Sequence, residues 1–195
     1  MMPQVGQINV PNSLTIVRVL LVPVLVLALL AKTGAGDVLA AVAFVVASAT
    51  DALDGYLARS QGQVTTFGTL MDPIADKLLI IAALLALVSL GRLQAWVALV
   101  IIGREFAVTA LRAAVGAGQG TVIAASRFGK LKTVCQIVMV LVLIVHYRWI
   151  GHRDAWWLYV IEYVTVLVTI LSGVDYFQAA LRGGVEPGAP AHVDR

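Results

Sequence analysis

The sequence has few charged residues and a single cysteine. Only 13% of its 195 residues are charged, whereas 60% are hydrophobic and the mean hydropathy is +0.92. Soluble domains are about one quarter charged, so this composition excludes a water-soluble globular enzyme and a disordered chain. Cys135 alone cannot form a disulfide framework, and the sequence has no Cys/His cluster of the zinc-binding kind. The formal charge of +3 is small, which argues against a nucleic-acid partner.

Long apolar runs predict an all-α integral membrane protein with six transmembrane helices. A helix needs about 20 mostly apolar residues to cross a bilayer, and short Gly-rich or polar segments separate the runs. The predicted spans are 12–31, 37–59, 72–90, 93–116, 125–147 and 155–181. Asn12 and Ser13, with Pro11 before them, are predicted to cap the first helix. Residues 1–182 therefore form one predicted membrane domain, and residues 183–195 a disordered cytoplasmic tail rich in Gly, Pro and Ala.

The distribution of basic residues predicts that both termini are cytoplasmic, because Lys and Arg are enriched in cytoplasmic loops. With the N-terminus inside, the cytoplasmic side carries Arg59, Arg112, Arg127, Lys130, Lys132, Arg182 and Arg195, with Arg18 and Lys77 close by. The other side carries Lys32, Arg92, Arg148 and Arg153. The excess of basic residues on the first side sets the predicted orientation.

Four aspartates flank the predicted loop between the second and third helices. Asp51 and Asp54 are three residues apart, and Asp72 and Asp76 are four apart, so each pair shares one helix face. Because one short loop joins these helices, they run antiparallel and the four carboxylates can converge. The apolar run before Asp51 is too short to span, so the second helix must continue to Arg59. Asp51 then lies about 12 Å deeper than Arg59, at 1.5 Å per residue.

A pocket with four carboxylates suits hard divalent cations, because four negative charges at low dielectric would not all stay ionised alone. Mg²⁺ and Mn²⁺ take carboxylate oxygens and leave positions open for phosphate. Two such ions about 4 Å apart can clamp both reacting oxygens of a phosphoryl transfer. Gly55, Ala58 and Gly68 leave room for a flat ring or a diphosphate, and Arg59 offers a fork for a phosphate. The alternative is a network paired with Arg59 and Lys77 that only fixes helix packing, although intramembrane acids are usually functional.

These residues resemble the signature of the CDP-alcohol phosphotransferase family, D-x2-D-G-x2-A-R-x(7 or 8)-G-x3-D-x3-D. The eight fixed positions are filled by Asp51, Asp54, Gly55, Ala58, Arg59, Gly68, Asp72 and Asp76. The resemblance implies a homodimer of six-helix subunits in which the four aspartates hold two Mg²⁺ or Mn²⁺ ions. It also implies that Asp76 is the catalytic base, that the alcohol attacks the lipid-side phosphorus of a CDP-linked lipid, and that CMP leaves. The residues predicted to contact the CDP-lipid are Gly55, Ala58, Arg59, Thr65, Gly68, Asn12 and Thr15.

Cations on the first, fourth and fifth predicted helices bear on the acceptor. Arginine within a membrane is costly, so cations near a phosphate-transfer pocket indicate an anionic acceptor. The predicted acceptor phosphate-binding residues are Arg18, Arg104, Arg112, Lys130 and Lys132. Three alternatives remain open. The lysines could only obey the positive-inside rule, Arg104 could form a structural ion pair with Glu105, and Arg18 could snorkel to the interface.

The accessory residues are similar to one branch of the family, which joins CDP-diacylglycerol to sn-glycerol 3-phosphate. The matching stretches are Pro11 to Arg18, Gly103 to Glu105, Leu111 to Arg112, and Gly129 to Gln136. This resemblance implies those two substrates, surrounding membrane lipids, and a multi-pass protein of the bacterial inner membrane with a cytoplasmic active site. One alternative is a sister enzyme that uses inositol phosphate or a lipid alcohol. Another is a cation- or proton-coupled transporter, although transport sites usually lie near the midplane between repeats.

Overall fold

The described part of the chain is entirely helical and contains the six predicted helices. The structure, a computed structural model, describes residues 10–61, 66–119, 127–149 and 155–181, with side chains over 16–50, 77–115, 128–147 and 155–181. The helices are α1 (Val10–Leu30), α2 (Gly34–Gln61), α3 (Thr66–Ser89), α4 (Ala95–Gln119), α5 (Arg127–Trp149) and α6 (Trp156–Leu181). The predicted tail over 183–195 lies outside the described residues.

The observed end of α2 and the observed start of α1 test the predicted helix boundaries. Helix α2 runs unbroken through Asp51 and Asp54 to Gln61, as the shortness of its apolar run required. Helix α1 begins at Val10, so Asn12 and Ser13 lie inside the helix and the predicted cap there is wrong. Pro11 occupies the first turn, where a missing backbone N–H breaks no helical hydrogen bond.

The turn between α1 and α2 depends on a threonine cap and a glycine. The Thr33 hydroxyl accepts the N–H of Gly36 at 3.0 Å, which satisfies one free donor of the first turn of α2. A Cβ atom at position 36 would lie 2.3 Å from the carbonyl oxygen of Ala28. Only glycine allows this close approach, so the two helices meet in a tight turn.

Helix α3 ends in a Schellman motif. Gly91 has a φ of 68°, its N–H donates to the Val88 carbonyl at 2.9 Å, and the N–H of Arg92 donates to the Leu87 carbonyl at 2.9 Å. Glycine is the residue that adopts this left-handed conformation at least cost. The motif reverses the chain and fixes where the Arg92 side chain begins.

The six described helices pack around one apolar core. Helix α1 packs on α2 and α3, α5 packs on α2 and α6, and α4 packs on α6. We call the end where α2 finishes and α3 begins the signature end, and the other the opposite end. Leu25, Phe44, Leu84, Ile101 and Ile144 are fully buried in the core.

Large apolar side chains also cover the outside of the bundle, including Leu27, Leu99 and Leu181. Among the described segments, Phe128–Tyr147 and Trp156–Leu181 are long and apolar enough to cross a membrane. Only 33% and 39% of their most apolar windows are buried, whereas the core helix of a soluble protein is mostly buried. An apolar surface of this extent marks a protein that contacts lipid or other apolar partners.

Candidate active site

A cationic cavity of about 310 Å³ opens at the signature end, among α3, α4, α5 and α6. The charged residues that line it are Lys77, Arg104, Arg112, Lys130, Lys132 and Glu105. Within the described side chains, five cations therefore face one carboxylate. Among these described side chains the positive charge is unbalanced, which favours an anionic ligand. Four of these cations are residues that the sequence assigned to the acceptor phosphate.

The two arginines of α4 lie against α6. Arg104 donates a hydrogen bond from Nη2 to Ser172 Oγ at 2.6 Å, and its guanidinium carbon lies 5.4 Å from the ring centroid of Tyr176. Arg112 donates to Tyr176 Oη, and its guanidinium carbon lies 4.5 Å from the same centroid. Both distances are typical of cation–π contacts. Helix spacing places both arginines near one face of α4 because they are eight residues apart.

The carboxylate of Glu105 is shared. Lys132 donates from Nζ to Glu105 Oε1, and Arg104 Nη1 lies 3.7 Å from the same oxygen. All three side chains are largely buried. The structure therefore shows an ion pair of Arg104 with Glu105, but the closer partner of that carboxylate is Lys132. One negative charge lies between two positive ones.

A smaller cavity adjoins the first one. Ser48, Lys77, Lys132 and Gln136 contribute to its lining. Ser48 lies three residues before Asp51 in α2, and Lys77 directly follows the last aspartate of the signature in α3. The Gln136 side chain is buried, and its Nε2 has no hydrogen-bond partner in the described structure. The cavities therefore lie next to the helical segments that carry the signature.

The remaining predicted site residues are not part of this described geometry. The signature aspartates and the residues predicted to bind the CDP-lipid lie outside the described side chains, although the structure assigns most of them to helices. These residues are Asp51, Asp54, Asp72, Asp76, Gly55, Ala58, Arg59, Thr65, Gly68, Asn12 and Thr15. Arg18 is fully buried on α1 and is not among the described residues that line the cationic cavity.

A second arginine cluster lies at the opposite end. Arg92 donates to both carboxylate oxygens of Asp37, at 2.6 and 3.1 Å, and its guanidinium carbon lies 4.6 Å from the ring centroid of Tyr147. Arg92 and Asp37 are both buried. The Schellman motif after α3 and the first turn of α2 bring these two residues together.

The contribution of α6 to the site was not predicted from the sequence. Ser172 and Tyr176 are buried and contact the two arginines of α4, yet neither was predicted as a site residue. A signal was present in the sequence. The buried polar residues of α6 recur every three or four positions: Glu162, Thr165, Thr169, Ser172 and Tyr176. Such a stripe within an apolar helix marks the face that packs inside the bundle.

The fold and the cavity define an all-helical, membrane-associated class of protein with a cationic site at one end. A family model described as CDP-alcohol phosphatidyltransferase matches residues 8–171, and the chain belongs to that family. The resemblance inferred from the signature is thereby confirmed. The family is generally dependent on divalent metal ions.

Three bacterial relatives illustrate the similarity. The chain is 40% identical over 181 residues to the CDP-diacylglycerol–glycerol-3-phosphate 3-phosphatidyltransferase of Bacillus subtilis, covering 87% of this chain and 93% of the relative. It is 42% identical over 199 residues to a probable phosphatidylglycerophosphate synthase of Mycobacterium tuberculosis, covering 96% and 93%. It is 35% identical over 176 residues to the Haemophilus influenzae 3-phosphatidyltransferase of the same name as the first, covering 88% and 93%.

Proposed function

We propose that this chain transfers the phosphatidyl group of CDP-diacylglycerol to sn-glycerol 3-phosphate, giving phosphatidylglycerophosphate and CMP. The observation that carries the proposal is the cavity at the signature end, where five cations face one carboxylate. Such a cavity suits an acceptor that itself bears a phosphate, rather than a neutral alcohol. The names of the relatives, which include this reaction, support the same acceptor.

The proposal places the protein in the bacterial inner membrane as six transmembrane helices, with both termini and the active site cytoplasmic. Three observations support it: the six long helices of the described chain, their apolar outer surface, and the excess of Lys and Arg at the signature end. By resemblance to the family, we also propose a homodimer. Labelling of introduced cysteines from either side of the membrane tests the proposed topology. Mass measurement in detergent tests the proposed homodimer.

The proposed metal site consists of Asp51, Asp54, Asp72 and Asp76. Helices α2 and α3 are continuous through these positions, so the spacing of three and four keeps each pair on one helix face. A donor set made only of carboxylates fits a hard divalent cation such as Mg²⁺ or Mn²⁺. When bound, two such ions would neutralise the charge of the diphosphate and acidify the acceptor hydroxyl.

The CDP-lipid is proposed to lie against α2 and α3 where the signature is found, and against the first turns of α1. The contacts assigned to it are Gly55, Ala58, Arg59, Thr65, Gly68, Asn12 and Thr15. The acceptor phosphate is assigned to the cationic cavity, where Arg104, Arg112, Lys130 and Lys132 are available. Arg18 is also proposed as a contact of the acceptor phosphate, but it is fully buried on α1 and is not among the described lining residues, so the proposal rests mainly on the other four cations.

In the proposed reaction, Asp76 accepts the proton of the acceptor hydroxyl. The oxygen attacks the lipid-side phosphorus, a new P–O bond forms, and the P–O bond to CMP breaks. Arg104 and Arg112 hold the acceptor phosphate, so that the hydroxyl approaches in a fixed orientation. The acceptor phosphate is a dianion. It neutralises the positive charge of Arg104 and Arg112 that the described protein groups leave unbalanced.

An acceptor panel tests the proposed function. The purified protein is incubated with CDP-diacylglycerol and Mg²⁺ or Mn²⁺, and CMP release is measured with glycerol 3-phosphate, inositol phosphate, serine or phosphatidylglycerol. We expect release mainly with glycerol 3-phosphate, and none after chelation of the divalent ion. A preference for inositol phosphate or phosphatidylglycerol would identify a sister enzyme instead. Cation or proton flux in liposomes without CMP release would identify a transporter.

The variant Asp76→Asn tests the proposed base. It should lose at least about 10³-fold in kcat, because the proton acceptor and one metal ligand are removed together. Binding of CDP-diacylglycerol, measured by calorimetry, should remain substantial because three of the aspartates are intact. The matched control is Asp175→Asn, which removes an aspartate near the end of α6. Full activity of Asp76→Asn would remove this residue from the mechanism.

A further inference from the structure

Helix α6 supplies neutral partners to both arginines of the cationic cavity. Ser172 Oγ accepts a hydrogen bond from Arg104 Nη2 at 2.6 Å, and Tyr176 Oη accepts one from Arg112. Tyr176 is 2% exposed and Ser172 is fully buried, so packing fixes both side chains. A long arginine side chain loses rotamer freedom when it binds a ligand, and a prior hydrogen bond removes part of that loss.

The ring of Tyr176 serves both arginines at once. Their guanidinium carbons lie 5.4 Å and 4.5 Å from its centroid, so two like charges are gathered around one aromatic ring. The negative face of a tyrosine ring attracts a guanidinium without neutralising it. The α6 contacts therefore gather positive charge at the cavity and leave it available to an anion.

Two glycines make room for this arrangement. A Cβ atom on Gly129 of α5 would lie 3.1 Å from Tyr176 Oη, which is closer than ordinary contact. A Cβ atom on Gly173 of α6 would lie 3.3 Å from Arg104 Cγ. The helices thus approach closely at the two points where α6 meets the cavity, and the tyrosine hydroxyl has little freedom to move.

We propose that Tyr176 and Ser172 are positioning residues that hold the guanidinium groups of Arg112 and Arg104 ready for the acceptor phosphate. The inference rests on the proposed function, since it deepens the assignment of that acceptor. Tyr176 and Ser172 act through the arginines and do not touch the reacting atoms. Removing their hydroxyls should weaken acceptor binding and leave the CDP-lipid site unchanged.

The variant Tyr176→Phe tests this most directly, because it keeps the ring and removes only the hydroxyl. We expect the KM for glycerol 3-phosphate to rise about five- to twentyfold, with the KM for CDP-diacylglycerol within about twofold of the parent. Ser172→Ala should act in the same direction. The matched control is Tyr147→Phe, at the arginine–tyrosine cluster of the opposite end, which should change neither KM. Thermal unfolding in detergent checks that each variant is folded.

A double variant separates positioning from a general packing effect. If Tyr176 acts through Arg112, removing its hydroxyl should cost nothing further once Arg112 is alanine. Tyr176→Phe in the Arg112→Ala background should therefore leave the acceptor KM within about twofold of Arg112→Ala alone. If the double variant instead raised the acceptor KM by the product of the two single effects, the proposal would be overturned.

The same measurements distinguish two failures. If the parent protein releases no CMP with glycerol 3-phosphate, the proposed function is wrong and the inference with it. If the parent is active but Tyr176→Phe leaves the acceptor KM unchanged, or raises both KM values equally, only the inference is overturned. A selective rise in the acceptor KM supports it.

Discussion

The two ends of the bundle each hold an arginine stacked on a tyrosine, but they balance charge differently. At the opposite end, Arg92 stacks on Tyr147 and binds both oxygens of Asp37. At the signature end, Arg112 stacks on Tyr176 and its described hydrogen bond goes to a neutral hydroxyl. The first arginine is neutralised within the protein. The second has no carboxylate partner among the described side chains, so its charge is open to a ligand.

This difference separates a structural arginine from a binding one better than burial or residue type does. A bidentate arginine–carboxylate pair uses the planar fork of the guanidinium, so Arg92 has little left to offer a phosphate. The charge of Arg104 is partly neutralised, which places it between Arg92 and Arg112. Its Nη1 lies 3.7 Å from Glu105 Oε1, but Lys132 binds that oxygen more closely. The partner of each cation therefore indicates its role.

The largest effect should come from breaking the pair at the opposite end. Asp37→Ala leaves the buried Arg92 charge without its carboxylate, so we expect a loss of about 3 to 5 kcal/mol in the free energy of unfolding. The KM for glycerol 3-phosphate should not change, because the pair lies far from the cavity. Chemical unfolding in detergent micelles and steady-state kinetics measure the two quantities.

The control for Asp37→Ala is the double variant Asp37→Leu with Arg92→Met. Replacing both charges by apolar groups is often neutral or stabilising, so this variant should recover most of the lost stability. A selective rise in the acceptor KM in Asp37→Ala would contradict the assignment of a purely structural role to this end.

The next largest effect should come from Arg112 at the signature end. Arg112→Ala should raise the KM for glycerol 3-phosphate about ten- to a hundredfold, since a hydrogen bond to a charged group contributes about 1.5 to 3 kcal/mol. Stability should fall by only about 1 kcal/mol, because Arg112 is exposed and its contact with the Tyr176 ring is of the exposed cation–π kind. Steady-state kinetics with each substrate varied in turn is the measurement.

Arg112→Lys is the matched control, because it keeps the charge and removes the planar fork. Its acceptor KM should fall between those of the parent and Arg112→Ala. An equal rise in both KM values for Arg112→Ala would indicate a structural role and would remove the contrast with Arg92.

Much of the fold follows from the sequence because local patterns determine it. Apolar runs of sufficient length predicted all six helices, and Gly91 lies at the predicted break after the third. The continuity of α2 followed from a length argument alone. The start of α1 was missed by two residues, because a proline next to a capping residue is compatible with either boundary.

The site was predictable only where charge is unusual for its surroundings. Arg104, Arg112, Lys130 and Lys132 attracted notice as cations in apolar helices, and they line one cavity. Ser172 and Tyr176 did not, because uncharged polar residues are common in membrane helices. The pairing of Arg92 with Asp37, 55 residues apart, has no local pattern and appears only once the helices are assembled.

The smallest effect should come from Lys130, which lines the cationic cavity and is exposed like Arg112 but, among the described contacts, has no hydrogen bond to α6. An exposed charge contributes about 0.2 to 1 kcal/mol, so Lys130→Ala should raise the acceptor KM about two- to threefold at low salt. At about 1 M salt the Debye length falls to about 3 Å, and the difference from the parent should disappear. Kinetics at both salt concentrations measures this, with Arg112→Ala as the control whose larger effect should persist at high salt. If Lys130→Ala matched Arg112→Ala at both concentrations, hydrogen bonds to α6 would not distinguish the strong phosphate ligands from the weak ones, and the contrast between the two ends would lose its chemical basis.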